Sequence, residues 1–375
     1  MLSQRPPMGW NSWNTFGNEV CDRVIRDTAD AFIEKGLKDA GYEYVVIDDC
    51  WSLYHRDENG HLVADPEKFP HGMKSVADYV HSKGLKFGMY SCAGTMTCAG
   101  RPSSFEHEFE DAKQFADWGV DFLKYDYCYK PDSANGPLLY NRMSMALKAT
   151  GREILFSACN WGIDETENWI RSTGAHMYRS TGDISDSFTS FKNIAMSQID
   201  KKKLPYSGPG CYNDVDMLIC GMHDKGNVAS GGCTDSEYRM HFALWCMMQS
   251  PLMIGGDICN MDDFNLELLK NKELIAIDRD EEARPPLRLG NDSCPILFKH
   301  LSGGEYAIAF FNFNNDHSRE IVLNFYDIGL NYASGYGFNL RDIFTGEEVV
   351  TTDNYMQAKV NPRDCRIFRG TLVKR

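Results

Sequence analysis

No stretch of this chain approaches the roughly 18 consecutive apolar residues of a membrane-spanning helix, so no segment reads as one. Thirteen cysteines are present without a single C-x-x-C pair, so a zinc ribbon is not indicated. The odd count leaves at least one sulfur unpaired within the chain, and most of the thirteen read as small buried hydrophobes. No G-x-G-x-x-G follows a strand-like run and no P-loop occurs, so no nucleotide cofactor is implied. Positive charge is also short. Against 53 Asp and Glu there are 39 Lys and Arg, a net charge of −14, and such a surface repels phosphate backbones and anionic headgroups. Nucleic acid and membrane surfaces are therefore not expected partners. The opening Met1-Leu2-Ser3-Gln4-Arg5-Pro6-Pro7 lacks the apolar run of a secretory signal. The cytoplasm is the expected compartment, with a secreted mature form as the alternative.

What the chain does have is an alternation of short β-rich runs with longer stretches of helical spacing, from about residue 7 to residue 285. The strand candidates are Met8 to Asn11, Tyr44 to Ile47, Leu85 to Tyr90, Val120 to Tyr125, Glu153 to Ser157, His176 to Arg179, Leu204 to Ser207 and Pro251 to Ile254. Helices are expected over Val24 to Lys35, Met73 to His81 and Phe105 to Trp118, stopped by Gly36, Gly84 and Gly119. Eight β-then-α units in about 280 residues predict an α/β fold of the (β/α)₈, or TIM, barrel type. A doubly wound sheet, the main rival, would be expected to carry the missing glycine-rich turn.

The pattern changes after Arg284-Pro285-Pro286. Short runs follow at Ile296 to Phe298, Tyr306 to Phe311, Ile321 to Leu323 and Cys365 to Phe368, separated by turn residues. They predict a C-terminal antiparallel β-sandwich domain. The expected division is 1–285 for the barrel and 286–375 for the β domain, whose apolar runs could support a homo-oligomer.

Catalytic side chains of such barrels sit where strands end. Asp48 and Asp49 directly follow Tyr44 to Ile47, Asp126 follows Phe122 to Tyr125, and Asp183 lies four residues beyond Arg179. Asp214 and Asp216 follow the turn Gly208-Pro209-Gly210. One Asp after a strand is ordinarily a cap or turn residue. Several converging on one rim suggest metal binding or paired acid/base work. No H-x-H follows a strand, and His55, His61, His71 and His81 fall in a polar loop or a helix, so metal hydrolysis is disfavoured. Two-carboxylate glycosidase chemistry is the better reading.

Six motifs, in order, resemble the α-galactosidases and α-N-acetylgalactosaminidases of glycoside hydrolase family 27. They are Met8 to Asn14 (MGWNSWN), Ile47 to Trp51 (IDDCW), Phe69 to Gly72 (FPHG), Leu123 to Asp126 (LKYD), Arg179 to Asp183 (RSTGD), and Gly208 to Gly210 with Asn213 to Met217 (GPG, NDVDM). The resemblance implies a retaining exo-glycosidase acting on a saccharide with terminal α-linked galactose, with no cofactor and no metal. Asp126 would be the nucleophile and Asp183 the acid/base. It also implies that Asp48 and Asp49 hold the 4- and 6-hydroxyls, and that Lys124 and Arg179 donate to ring hydroxyls. Trp13 would wall the ring, Tyr90 and Met217 would line the pocket, and Asp216 would close its far side. Cys98 and Cys128 match the family's disulfide beside the nucleophile; Cys50 also matches, whereas Cys21 lies several residues beyond the usual position of its partner. Tyr127 stands where many members have a small residue, which is expected to reshape the mouth.

The loop Cys159-Asn160-Trp161-Gly162-Ile163 is expected to read the sugar's 2-substituent. Asn160 and Ile163 fit a galactosidase better than an N-acetylgalactosaminidase, and Asp48-Asp49 argue against a β-L-arabinopyranosidase. The alternative from another class is a non-catalytic galactose-binding barrel, which would need neither Asp126 nor Asp183.

Overall fold

The computed structural model describes residues 2–375. Its larger part is a ring of eight parallel strands: β1 (Met8–Asn11), β2 (Tyr44–Val46), β3 (Lys86–Cys92), β4 (Phe122–Asp126), β5 (Leu155–Cys159), β6 (Met177–Arg179), β7 (Tyr212–Asp214) and β8 (Leu252–Ile254). From β1 to β7 each pairs with the next in sequence, and β8 pairs with β1, Met8 opposite Leu252. The ring closes just past β7. Leu218 N donates to Met253 O (2.7 Å), and Gly255 N donates to Leu218 O (2.8 Å).

Helices follow the strands on the outside: α1 (Asp22–Glu34), α2 (Gly72–Ser82), α3 (Glu108–Trp118), α4 (Gly136–Ala149), the short Ile170–Thr173, α5 (Phe188–Asp200), α6 (Asp235–Met248), and Asp263–Leu269 with Lys272–Asp278. α1 shows why the sequence folds this way. Ile25, Ala29 and Phe32 recur at helical spacing and are buried, so one stripe packs on the barrel while the charged face stays wet. Gly119 ends α3 in the left-handed region, φ 88°.

The barrel interior is a compact cluster of Tyr44, Val46, Phe122, Leu155, Met177, Met217 and Met253, with Trp13 packed on it. Gly9 is required beside it, because a Cβ there would fall 2.6 Å from the carbonyl oxygen of Tyr44.

One expected strand is wrong. Leu204 to Ser207 is a 3₁₀ turn over Leu204–Tyr206, and the seventh strand is Tyr212–Asp214. Pro205 cannot donate to a ladder, which disqualifies an interior strand there.

The C-terminal part comprises β9 (Leu287–Asn291), β10 (Cys294–His300), β11 (Glu305–Asn312), β12 (Arg319–Asn324), β13 (Tyr336–Asp342), β14 (Glu348–Val350), β15 (Tyr355–Val360) and β16 (Asp364–Lys374). A six-stranded antiparallel sheet in the order β9-β10-β11-β16-β13-β14 faces the two-stranded β12-β15. Ile296, Phe310, Leu323, Phe338 and Met356 fill the space between them. The other face of the large sheet, with Leu297, Phe311 and Ile367, joins the apolar cluster under the barrel helices. Arg239 of α6 clasps Asp364 at 2.6 Å across this junction. No helix among the described residues is long and apolar enough to cross a membrane.

Candidate active site

The carboxylates that follow the strands meet at one mouth. Trp13, Asp48, Asp49, Tyr90, Cys98, Lys124, Asp126, Arg179, Asp183, Asp216 and Met217 all line a single pocket enclosing about 440 Å³ of empty space, mouth included. A wider and more open cleft, about 1190 Å³ on the same measure, lies against the β domain around His223, Glu237 and Arg363. Its Glu237 is already spent on Arg363 at 2.7 Å and on the cap of α6, whereas the smaller pocket gathers Asp48, Asp49, Asp126, Asp183 and Asp216.

On one wall Asp48 Oδ2 accepts from Lys124 Nζ and from Asn11 Nδ2, both at 2.7 Å. Asp49 accepts from Cys50 N at 2.7 Å and from Ala99 N at 2.9 Å. Burial pushes the Asp49 pKa up, and these backbone donors resist the rise. Burial alone would depress the Lys124 ammonium, but the Asp48 and Asp126 carboxylates around it outweigh that and raise it above its ordinary value.

Asp126, the last residue of β4, accepts from Tyr127 N (2.9 Å) and from Tyr90 OH (3.0 Å). Burial lifts its pKa to about 6 against the opposing pull of Lys124 and those two donors. Asp183 is the contrasting carboxyl. Its side chain is 72% exposed at the rim, and Arg179 donates to Oδ1 at 2.9 Å. Burial of the rim would raise it, yet Arg179 and Lys124 prevail and hold it below the usual carboxylate range. In the unliganded protein, then, the buried carboxyl at the strand end is the weaker acid of the two.

Arg179 is fully enclosed and contacts Asp216 at 3.0 Å as well as Asp183. Asp216 also accepts from Ile184 N and Met217 N, both at 2.7 Å, and adopts φ 86°, a left-handed conformation that a non-glycine residue holds only where its surroundings enforce it. Beneath it Asp214 takes the Asp216 N–H, and burial lifts its pKa to about 6.

The disulfide joins Cys98 and Cys128 across the loops after β3 and β4, Cα atoms 5.2 Å apart. Cys50 and Cys21 are both unpaired.

Two expected sugar contacts do not reach the pocket. Asn160 is completely buried and spent within its own loop, donating to Ile163 O (2.8 Å) and accepting from Thr166 Oγ1 (2.7 Å). It pins a turn that contains left-handed Trp161, Gly162, Asp164 and Glu165, and it reads no 2-substituent in this geometry. Cys159 lies buried 3.9 Å from Arg179 and is not among the pocket-lining residues. Tyr127 does not line the mouth either. Its hydroxyl donates to Asp164 Oδ2 at 2.9 Å and ties the β4 and β5 loops together.

Three lining residues escaped the sequence reading: Asn14, Ile184 and Val228. Asn14 closes the first motif, though no role was given to it, and Ile184 directly follows Asp183. Val228 arrives through a distant pairing, in which Asp186–Ser187 lies beside Ala229–Gly232.

A parallel barrel with two differently tuned aspartates in one pocket, backed by a β-sandwich, defines a glycoside hydrolase of the two-carboxylate kind. The chain belongs to the alpha galactosidase A family, whose profile matches residues 5–280, while the alpha galactosidase C-terminal β-sandwich profile matches residues 291–369. Alpha-galactosidase 3 of Arabidopsis thaliana is 42% identical, over 98% of this chain and 82% of its own length. Alpha-galactosidase A of Cellvibrio japonicus is 40% identical, covering 92% and 87%. Among solved structures, the α-galactosidase of Saccharomyces cerevisiae with raffinose superposes with a TM-score of 0.89 at 30% identity, covering 99% of this chain and 98% of that one.

Proposed function

We propose that this protein removes terminal α-linked galactose from oligosaccharides by double displacement with retention. The observation that carries the reading is the placement of Asp126 and Asp183 in one pocket, the first buried at the end of β4 and the second at the solvent rim. A nucleophile belongs under the ring, and an acid/base belongs where leaving group and water come and go.

Asp48 and Asp49 accept from the 4- and 6-hydroxyls, and Trp13 supports the apolar face of the ring. A glucoside, with its 4-hydroxyl turned away, forfeits that hydrogen bond to the buried carboxylates, and the loss sets the preference. Asp183 donates its proton to the glycosidic oxygen as Asp126 attacks the anomeric carbon. It then takes a proton from the water that releases galactose from Asp126. Because Arg179 stabilises ionised Asp183 in the free protein, the sugar must weaken that contact or exclude water from it before proton transfer. Raffinose, bound by the yeast relative, illustrates the class of substrate we infer.

Parallel assays on nitrophenyl α-galactoside and nitrophenyl α-N-acetylgalactosaminide test the glycone. Preference for the galactoside supports the reading, and preference for the N-acetyl sugar overturns it. Galactose binding without turnover of either would favour the binding-only alternative.

A further inference from the structure

Asp214 ends β7, is buried, and stays out of the sugar pocket. It stands opposite Arg179 in the ladder between β6 and β7, so the two side chains leave the sheet on the same face. Both line a small chamber inside the barrel with Asn11 and Ser157, and this chamber shares Lys124, Arg179 and Asp216 with the sugar pocket.

What Asp214 holds is the next turn. Its Oδ1 accepts from Asp216 N at 2.9 Å, two residues on, a turn that Asp and Asn side chains favour. Asp216 lies at φ 86°, and its carbonyl oxygen accepts from Trp245 Nε1 at 2.7 Å. With its amide and carbonyl both engaged, Asp216 turns its carboxylate to two partners. Oδ1 meets Arg179 Nη1 at 3.0 Å, and Oδ2 accepts from Ile184 N at 2.7 Å. Ile184 directly follows Asp183, and Arg179 donates to Asp183 Oδ1 at 2.9 Å. The contacts thus run from Asp214 through Asp216 to both supports of Asp183. The charged groups around Asp214 are Arg179 from β6, Lys124 from β4 and Asp216 from its own loop. Burial, and to a lesser degree Asp216, lift its pKa to about 6 against Arg179, Lys124 and the Asp216 amide. Protonation does not undo the turn, because a carboxylic acid keeps an oxygen that accepts the amide. A neutral Asn can therefore stand in for Asp at this position.

We propose that Asp214 is a positioning residue, which accepts the Asp216 amide to hold a left-handed turn and so keeps Arg179 and the Asp183 segment in working geometry. The effect on proton transfer rests on the reading of Asp183 as the acid/base; the effect on the pocket itself does not. Without the acceptor, the Asp216 amide is left buried and unpaired, and the turn is free to relax toward a more ordinary backbone conformation. Its carboxylate then loses its aim at Arg179 and Ile184, and the sugar pocket and Asp183 shift with it.

The test compares Asp214→Asn, Asp214→Ser and Asp214→Ala in the full chain, each first shown to be folded by near-ultraviolet circular dichroism. Asn keeps the acceptor, Ser offers a weaker one and Ala removes it. In Asp214→Ala, kcat/KM is expected to fall ~10-fold on nitrophenyl α-galactoside and ~10-fold further on raffinose, whose leaving hydroxyl needs a well-placed acid. Asp214→Asn is expected to stay within about threefold of the parent on both, with Asp214→Ser between. A merely structural role lowers both substrates together and leaves their ratio unmoved. If Asp214→Ala does not fold, Asp214→Ser carries the same comparison with smaller changes. An unmoved ratio, or a loss in Asp214→Asn as large as in Asp214→Ala, overturns the proposal. If no form, the parent included, hydrolyses any galactoside, the reading of the reaction fails and galactose binding by titration calorimetry decides for Asp214. Affinity ~10-fold weaker in Asp214→Ala but not in Asp214→Asn upholds its hold on the pocket, and equal affinities overturn it.

Discussion

Tyr90 and Asp126 share a hydrogen bond of 3.0 Å, phenol to carboxylate Oδ2, in which the donor steadies only the ionised form of the acceptor. This contact links the geometry of the pocket to its pH response. Burial has placed the Asp126 pKa at about 6, and Arg179 has placed Asp183 below the ordinary range. The two must hold one proton between them for the first step, and a coupled pair titrates macroscopically. The kcat/KM profile is therefore expected to be bell-shaped. Its alkaline limb lies near pH 6, set by Asp126, and its acid limb lies below the usual carboxylate pKa, set by Asp183. Removing the Tyr90 donor with Tyr90→Phe raises the Asp126 pKa further, so the alkaline limb moves to higher pH. An unmoved limb means that Tyr90 does not tune the pair.

The two aspartates are separable by leaving group. Asp126→Asn is expected to lower kcat by ~10⁴-fold or more on every substrate, because no other side chain can take its covalent role. Asp183→Ala is expected to cost roughly 10²–10⁴-fold on an oligosaccharide, whose leaving hydroxyl needs a proton. The loss of kcat/KM on a nitrophenyl galactoside should be much smaller, since nitrophenolate departs unaided. Equal losses on both substrates would contradict the acid role of Asp183.

Asn160 is expected to matter for stability and not for specificity. Asn160→Ala deletes the amide that donates to Ile163 O and accepts from Thr166, leaving buried partners unmet at a cost of about 1–3 kcal/mol. Denaturant titration reads that loss. The ratio of kcat/KM between galactoside and 2-deoxygalactoside should stay as in the parent protein. A collapse of that ratio would restore Asn160 as a sugar contact.

The loops after β4 and β5 are braced by Tyr127 to Asp164, so Tyr127→Phe tests whether that brace holds the rim. It is expected to destabilise by about 0.5–2 kcal/mol and to raise KM for oligosaccharides more than for nitrophenyl galactoside. Unchanged values for both would leave the phenol as packing alone.

Much of the site was legible because the barrel converts sequence position into place. An apolar run such as Phe122 to Tyr125 fixes where its strand ends, so the Asp that follows reaches the rim whatever the loops do. The same reasoning failed for the seventh strand. Tyr212-Asn213-Asp214 spends two of its three residues on buried polar contacts, so no apolar run marks it, and Leu204 with Pro205 and Tyr206 offers a more apolar decoy. Asn160 was misread for another reason. Beyond a strand end the chain has no period, and the left-handed turns at Trp161 and Gly162 aim the side chain inward, which composition cannot show. Val228 depends on the pairing of Asp186 with Ala229, more than 40 residues apart, and local pattern carries no trace of that.

The central claim is retention through Asp126, and the most direct measurement follows the anomeric proton of galactose by NMR during the first minutes of hydrolysis. The account predicts that α-galactose appears first and that the β anomer grows in only at the rate of spontaneous mutarotation. Initial release of β-galactose would show that water attacks directly, and it would contradict the assignment of Asp126 as a covalent nucleophile.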